Sequence, residues 1–125
     1  MEAKLVHGSP VMVDYTPGSA VSAGDIVVAG NGVRIAHDDI AASRLGAMAA
    51  GGGVYDIVKS AAYGYTDGDD VFWDASGTPV GGTATGAATF NDTGVWIGKA
   101  VASCAAGAST VRVLHGITPT TDQVS

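Results

Sequence analysis

The sequence predicts an all-β fold: a small compact β-barrel or β-sandwich of short antiparallel strands with at most one short helix. Three observations carry that expectation. Val and Ile number 22 against 3 Leu, and β-branched side chains, stiff at χ1, suit a pleated surface better than a helix. Short apolar runs alternate with Gly, Pro, Asn and Asp turn signals at a spacing of roughly 8–12 residues, the pattern of a small barrel or sandwich. Finally, 125 residues give room for one domain, and 46% hydrophobic against 14% charged residues set the chain apart from a disordered one.

The segment 1–10 reads as an N-terminal arm, 11–117 as the β domain and 118–125 as a polar C-terminal tail. A first strand at 11–15 is closed by Thr16-Pro17-Gly18. Strands at 26–29 and 33–36 flank Gly30-Asn31-Gly32, and Asn-Gly marks a hairpin because both residues accept φ > 0. The segment 38–46 is the best candidate for a helical turn, with Asp as N-cap and Gly as terminator. Strands resume at 47–49 and 54–58, on either side of Gly51-Gly52-Gly53, and again at 71–74. The Gly/Ala/Thr-rich stretch 81–93 reads as a long loop or an edge hairpin, and 94–102 and 110–115 as two final strands. Gly-Asp stands just before a strand twice, in Ala23-Gly24-Asp25-Ile26 and in Asp67-Gly68-Asp69-Asp70-Val71. A common turn suffices to explain that echo.

Charge excludes several partners. Six Lys+Arg against 12 Asp+Glu give a net charge of −6, and the cations (Lys4, Arg34, Arg44, Lys59, Lys99, Arg112) are scattered singly. Without a basic patch there is nothing to displace phosphate counterions, so neither nucleic acid nor an anionic membrane surface is an expected partner. The longest apolar runs, such as 26–29, fall far short of a membrane span, and Met1-Glu2-Ala3-Lys4 lacks the basic-then-apolar order of a signal peptide. A single cysteine, Cys104, cannot form an internal disulfide and fits synthesis in a reducing cytoplasm.

No catalytic residue, cofactor or metal is expected. The nearest text to a phosphate-binding loop, Gly94-Val95-Trp96-Ile97-Gly98-Lys99-Ala100, is one residue short, lacks the magnesium-binding hydroxyl and continues as an apolar strand. Asp67, Asp69, Asp70 and Asp74 lack the spacing of a calcium loop and read as turn formers. His7, His37 and His115 have no H-x-x-x-H or C-x-x-C companion, and no Gly-x-Ser-x-Gly elbow is present. Cys104 reads as a small buried filler. Large side chains are scarce, so Trp96 and one of Phe72 or Trp73, which point to opposite faces of their strand, are expected in the core. Tyr63, Tyr65 and Trp73 are the candidates for a subunit interface, where aromatic residues are enriched.

The order of the motifs resembles that of tailed-phage capsid cement, or head decoration, proteins. The matching segments are Asp14-Tyr15-Thr16-Pro17, then Ala20-Val21-Ser22-Ala23-Gly24-Asp25-Ile26-Val27-Val28, then Asp39-Ile40-Ala41-Ala42 followed by Leu45-Gly46-Ala47-Met48-Ala49. Gly53-Val54-Tyr55-Asp56-Ile57-Val58-Lys59, Gly68-Asp69-Asp70-Val71-Phe72-Trp73-Asp74 and the stretch 97–114 complete the pattern, over about nine tenths of the chain. The Gly51-Gly52-Gly53 run, the 81–93 loop and the tail after His115 depart from it. The resemblance implies a structural virion protein without enzymatic activity, made in the host cytoplasm. It would bind the major capsid protein on the outside of an assembled, expanded shell, commonly as a homotrimer. Some family members are labelled phage recombinases, which the missing phosphate loop and missing basic surface argue against. By polarity and position, Met1, Glu2, Ala3, Lys4, Leu5, Val6 and His7 are the expected capsid contacts, with the loops around 78–93, and removing 2–9 should leave the fold intact. The alternative is a virion-displayed carbohydrate- or host-surface-binding module with Tyr63, Tyr65 and Trp73 as its stacking platform.

Overall fold

Ten short apolar segments fold as strands in the computed structural model, which describes residues 2–29, 32–61, 64–90 and 94–116. The strands are β1 (Ala3–His7), β2 (Val11–Tyr15), β3 (Ile26–Ala29), β4 (Gly32–Ala36), β5 (Gly46–Gly51), β6 (Val54–Val58), β7 (Asp70–Asp74), β8 (Ala87–Thr89), β9 (Val95–Ala100) and β10 (Thr110–His115). They form a six-stranded sheet in the order β1-β6-β10-β9-β7-β8 and a four-stranded sheet in the order β2-β5-β4-β3. Pairing within both sheets is antiparallel. The sheets face one another without closing, so the fold is a sandwich and not a barrel.

Alternation along each strand sends one set of side chains into the space between the sheets. Tyr55, Ile57, Val71, Trp73, Ile97, Val111 and Val113 of the larger sheet meet Ile26, Val33, Ile35 and Ala49 of the smaller one. A second cluster, Ala36, Ile40 and Met48, with Tyr15, Val21 and Val27 against it, covers the outer side of the four-stranded sheet. Two glycine sites shape the path. Gly52 and Gly53, both at φ 82°, carry the chain from β5 of one sheet to β6 of the other. At Gly98 a Cβ would run into the Leu114 carbonyl, so only glycine lets β9 lie this close to β10.

Two features differ from the sequence expectation. The segment 38–46 is not helical: Ile40 pairs with Val21 in an isolated bridge, Ser43 sits at φ 62°, and Gly46 opens β5 instead of ending a helix. Burial of Ile40 against Ala36 and Met48 decides this, since a helical turn would have to lift it away. Within the segment read as an arm, residues 3–7 form β1, an edge strand whose Ala3 is buried and whose start is tied by Ala3 N–H to the Gly24 carbonyl. In 81–93, read as a long loop or an edge hairpin, residues 87–89 form β8, paired antiparallel with β7 on the opposite edge. The expected turn residues Gly30 and Asn31 and the tail 118–125 lie outside the described residues.

The Gly-Asp echo is the visible trace of a structural repeat. The order β2-β5-β4-β3 recurs as β6-β10-β9-β7 within the larger sheet, with β8 added at the β7 edge and β1 at the β6 edge. In the first unit Asp25 Oδ2 accepts from the Ser22 amide, Gly24 N–H donates to Ala36 and Ala36 N–H donates to Asp25. In the second, Asp69 Oδ2 accepts from the Thr66 amide, Gly68 N–H donates to Ala100 and Ala100 N–H donates to Asp69. The bridge Val21–Ile40 recurs as Tyr65–Cys104. Even the side-chain lock recurs: Asp39 accepts from the Ala23 amide, and Ser103 from the Asp67 amide.

Candidate functional site

Among the described residues no segment covers the outer face of the six-stranded sheet, which carries cross-strand rows of paired groups. Lys4, Asp56 and Arg112 stand in register across β1, β6 and β10. Arg112 grips Asp56 with two bonds, Nε–H to Oδ1 at 2.9 Å and an Nη2–H to Oδ2 at 3.1 Å. One row along, Val54, Leu114, Lys99 and Asp70 stand in register across β6, β10, β9 and β7. Lys99 Nζ lies 2.8 Å from Asp70 Oδ1, to which the Trp96 indole N–H also donates at 3.0 Å. The hydrogen bond from Lys99 holds the Asp70 carboxyl below its ordinary range against the opposing effect of burial, helped by the Trp96 indole and the charge of Lys99. Phe72, opposite Trp96, and Leu114, 44% exposed, add apolar surface. The face therefore runs from an aromatic row, Phe72 and Trp96, through a row that sets Leu114 and Val54 beside the Lys99–Asp70 pair, to the Asp56–Arg112 pair and Lys4.

Its charge is unlike that of the rest of the chain. Lys4, Lys99 and Arg112 are three of the six cations, and a fourth, Lys59, is wholly buried. The facing carboxylates are Asp56, Asp70 and, at the end of β7, Asp74, which closes its own turn by accepting from the Ser76 amide. Among the described residues the face is balanced, three cations against three carboxylates, in a chain of net charge −6.

The residues singled out from sequence fall on both sides of this picture. Lys4 belongs to the open face, His7 is exposed, and Leu5 is partly exposed at the β1 edge. Glu2 and Ala3 instead hold the strand down: Glu2 Oε1 accepts from the Ile26 amide at 2.6 Å, and burial raises its carboxyl above the usual range. Met1 and Tyr63 lie outside the described residues. Tyr65, at 4% exposure, and Trp73, at 2%, are core residues. The two tryptophans thus exchange places: Trp73 is inside, covered by the chain at Gly86, while Trp96 lies on the open face against Gly116. Sequence reasoning missed Phe72, Trp96 and both ion pairs. Their signal was the alternation of Lys99 and Arg112 with buried Ile97, Ala100, Val111 and Val113.

Two buried polar groups support the frame. Lys59, with no exposed surface, donates to the carbonyls of Ser60, Ala106 and Ala108 at 3.0, 2.7 and 3.3 Å and so holds the β9–β10 turn. A seam of rings joins the two sheets. His37 Nε2 and the Tyr55 hydroxyl share a 2.6 Å hydrogen bond, and the Tyr55 ring meets His115 edge-on at 5.9 Å. His115 Nε2–H donates to the Val33 carbonyl at 2.9 Å, which leaves its buried Nδ1 bare. Burial pushes the Tyr55 hydroxyl up to about 12 and lowers His115 from its ordinary value. The cleft beside Tyr55 and His37 is a shallow space of about 130 Å³. Among the described residues no three His, Cys, Asp or Glu side chains gather to hold a metal ion.

In comparison with known proteins, the family model described as a phage cement protein matches residues 6–115. No curated protein and no solved structure gives a significant match.

Proposed function

This chain belongs to the phage cement protein family, and on that premise we propose that it binds the outer surface of an assembled, expanded phage capsid and stabilises the shell. Membership makes it a structural protein of the phage capsid. The observation that carries the proposal is the family match itself, which runs from β1 to β10 and takes in both sheets. A protein that binds only the assembled shell stabilises it by mass action and needs no catalytic group. The copies act as homotrimers at three-fold positions, bridging neighbouring capsomers, and Lys4, Leu5 and His7 of β1 contribute to the contact.

Because β1 is a strand of the larger sheet, deletion of residues 2–9 would damage the fold as well as any contact, so point substitutions are the proper probe. A sugar-stacking platform of Trp73 and Tyr65 finds no support, since both rings are enclosed in the core. The test is co-sedimentation with expanded capsids of the source phage that lack the protein. Binding should saturate at three copies per three-fold position and raise the temperature at which the shells rupture. Absence of binding, or equal binding to unassembled capsid protein, would overturn the proposal.

A further inference from the structure

The two repeats are stacked head to tail. Ile26, Ile35 and Ala49 of the first repeat occupy the register positions of Asp70, Lys99 and Leu114 in the second. In the first repeat that face is buried against the larger sheet, where Val71, Ala100 and Val113 receive it. In the second repeat the same face is left uncovered by the described residues. The positions equivalent to Val71, Ala100 and Val113 are Val27, Ala36 and Met48, and these are closed over by Ile40, Val21 and Tyr15. The stack therefore has one end covered by its own loops and one end left open.

We infer that the open face of the six-stranded sheet is the surface that docks on the capsid shell, in the manner in which the first repeat docks on the second. The inference rests on the cement-protein proposal and names the surface that it leaves unassigned. The partner this face fits is a protein surface with apolar positions for Phe72, Trp96 and Leu114 at one end and charges of both signs beside them. Two features support it. The face is the charge-balanced part of an acidic molecule, so it approaches another protein without the repulsion the remaining surface would meet. The Asp70–Lys99 pair also stands where the buried repeat has Ile26 and Ile35. An apolar face of that shape, related to its receptor by a head-to-tail operation, would stack copies into open filaments. Asp70–Lys99 keeps the free protein from doing so while leaving Leu114 and the aromatic end available.

The test is co-sedimentation of the full chain with capsids lacking it, comparing wild type, Leu114→Asp, the exchange Asp56→Arg with Arg112→Asp, and Leu45→Asp. Leu45 is 71% exposed in the loop at the covered end and serves as the control. The exchange keeps the intramolecular ion pair but reverses what a partner meets. Leu114→Asp and the exchange should each weaken binding by about tenfold or more, as for an interface anchor, with Leu45→Asp unchanged. If wild type fails to bind, the cement-protein proposal falls and this inference with it. If wild type binds and both face variants bind equally well, the inference alone is wrong. Altered association between copies with undiminished shell binding would assign the face to a second copy and overturn it. Should a variant fail to fold, acylation of Lys99 in wild type decides: its amine must become protected on docking, and unchanged reactivity contradicts the inference.

Discussion

The paired Gly-Asp turns allow the repeat to be tested by its energetics. Asp25→Ala and Asp69→Ala each delete one side-chain acceptor, removing the bond from Ser22 N–H at 2.9 Å or from Thr66 N–H at 2.8 Å. The backbone bonds around each turn, Gly24 to Ala36 and Gly68 to Ala100, both 2.7 Å, are left in place. Side-chain caps of this kind are worth about 0.5–2 kcal/mol, and exposure of both sites puts each loss near 1 kcal/mol. For a domain of this size that lowers Tm by about 3–5 °C. The two turns share no hydrogen bond, so the double variant should lose about 2 kcal/mol, the sum of the singles within about 0.5 kcal/mol. Asp25 should cost slightly less than Asp69, because its charge repels the half-buried Glu2 carboxyl and its removal relieves that. Urea unfolding at pH 7 measures all three, with an unchanged slope as the check on two-state behaviour. A difference above about 1 kcal/mol between the single variants would refute the equivalence of the turns, since each is held by the same bonds.

Further outcomes follow from the buried polar groups and the close strand contact. His115 is held below its unfolded value of 6.5, first by burial, so its neutral form favours the fold. Its contribution is complete above pH 6.5 and is lost as pH falls from there through the lower folded value. Urea melts between pH 7.5 and 5 should show this decline, and His115→Gln, which keeps a donor for the Val33 carbonyl, should flatten it; an unchanged slope contradicts the seam. Lys59→Ala leaves three carbonyls without their ammonium and a cavity behind, so it should cost about 3 kcal/mol or more and expose the 105–109 turn to proteolysis. Gly98→Ala forces β9 away from Leu114 and should cost about 1–3 kcal/mol, read as a lowered Tm.

Strands were legible wherever both flanks carried turn residues, as at Val11–Tyr15 and Thr110–His115. β1 was not, because an edge strand buries little: in Ala3–His7 only Ala3 is enclosed, and Lys4 and His7 read as an exposed arm. The segment 38–46 has good local helix signals, and the tertiary demand to bury Ile40 overrides them. Alternation established that Phe72 and Trp73 face opposite ways, but which faces in depends on a covering segment that crosses at Gly86. For the same reason the open face was invisible in the sequence. Its rows join β1, β6, β10, β9 and β7, and register across strands is set by the fold, not by spacing along the chain.

The most direct test of the whole account is an electron cryomicroscopy reconstruction of source-phage shells saturated with the protein. The account predicts added density on the outer surface at the three-fold positions, three sandwiches to each, with the six-stranded sheet turned toward the shell. Shells that gain no outer density at saturating protein, or that hold it with this sheet facing solvent, would contradict it.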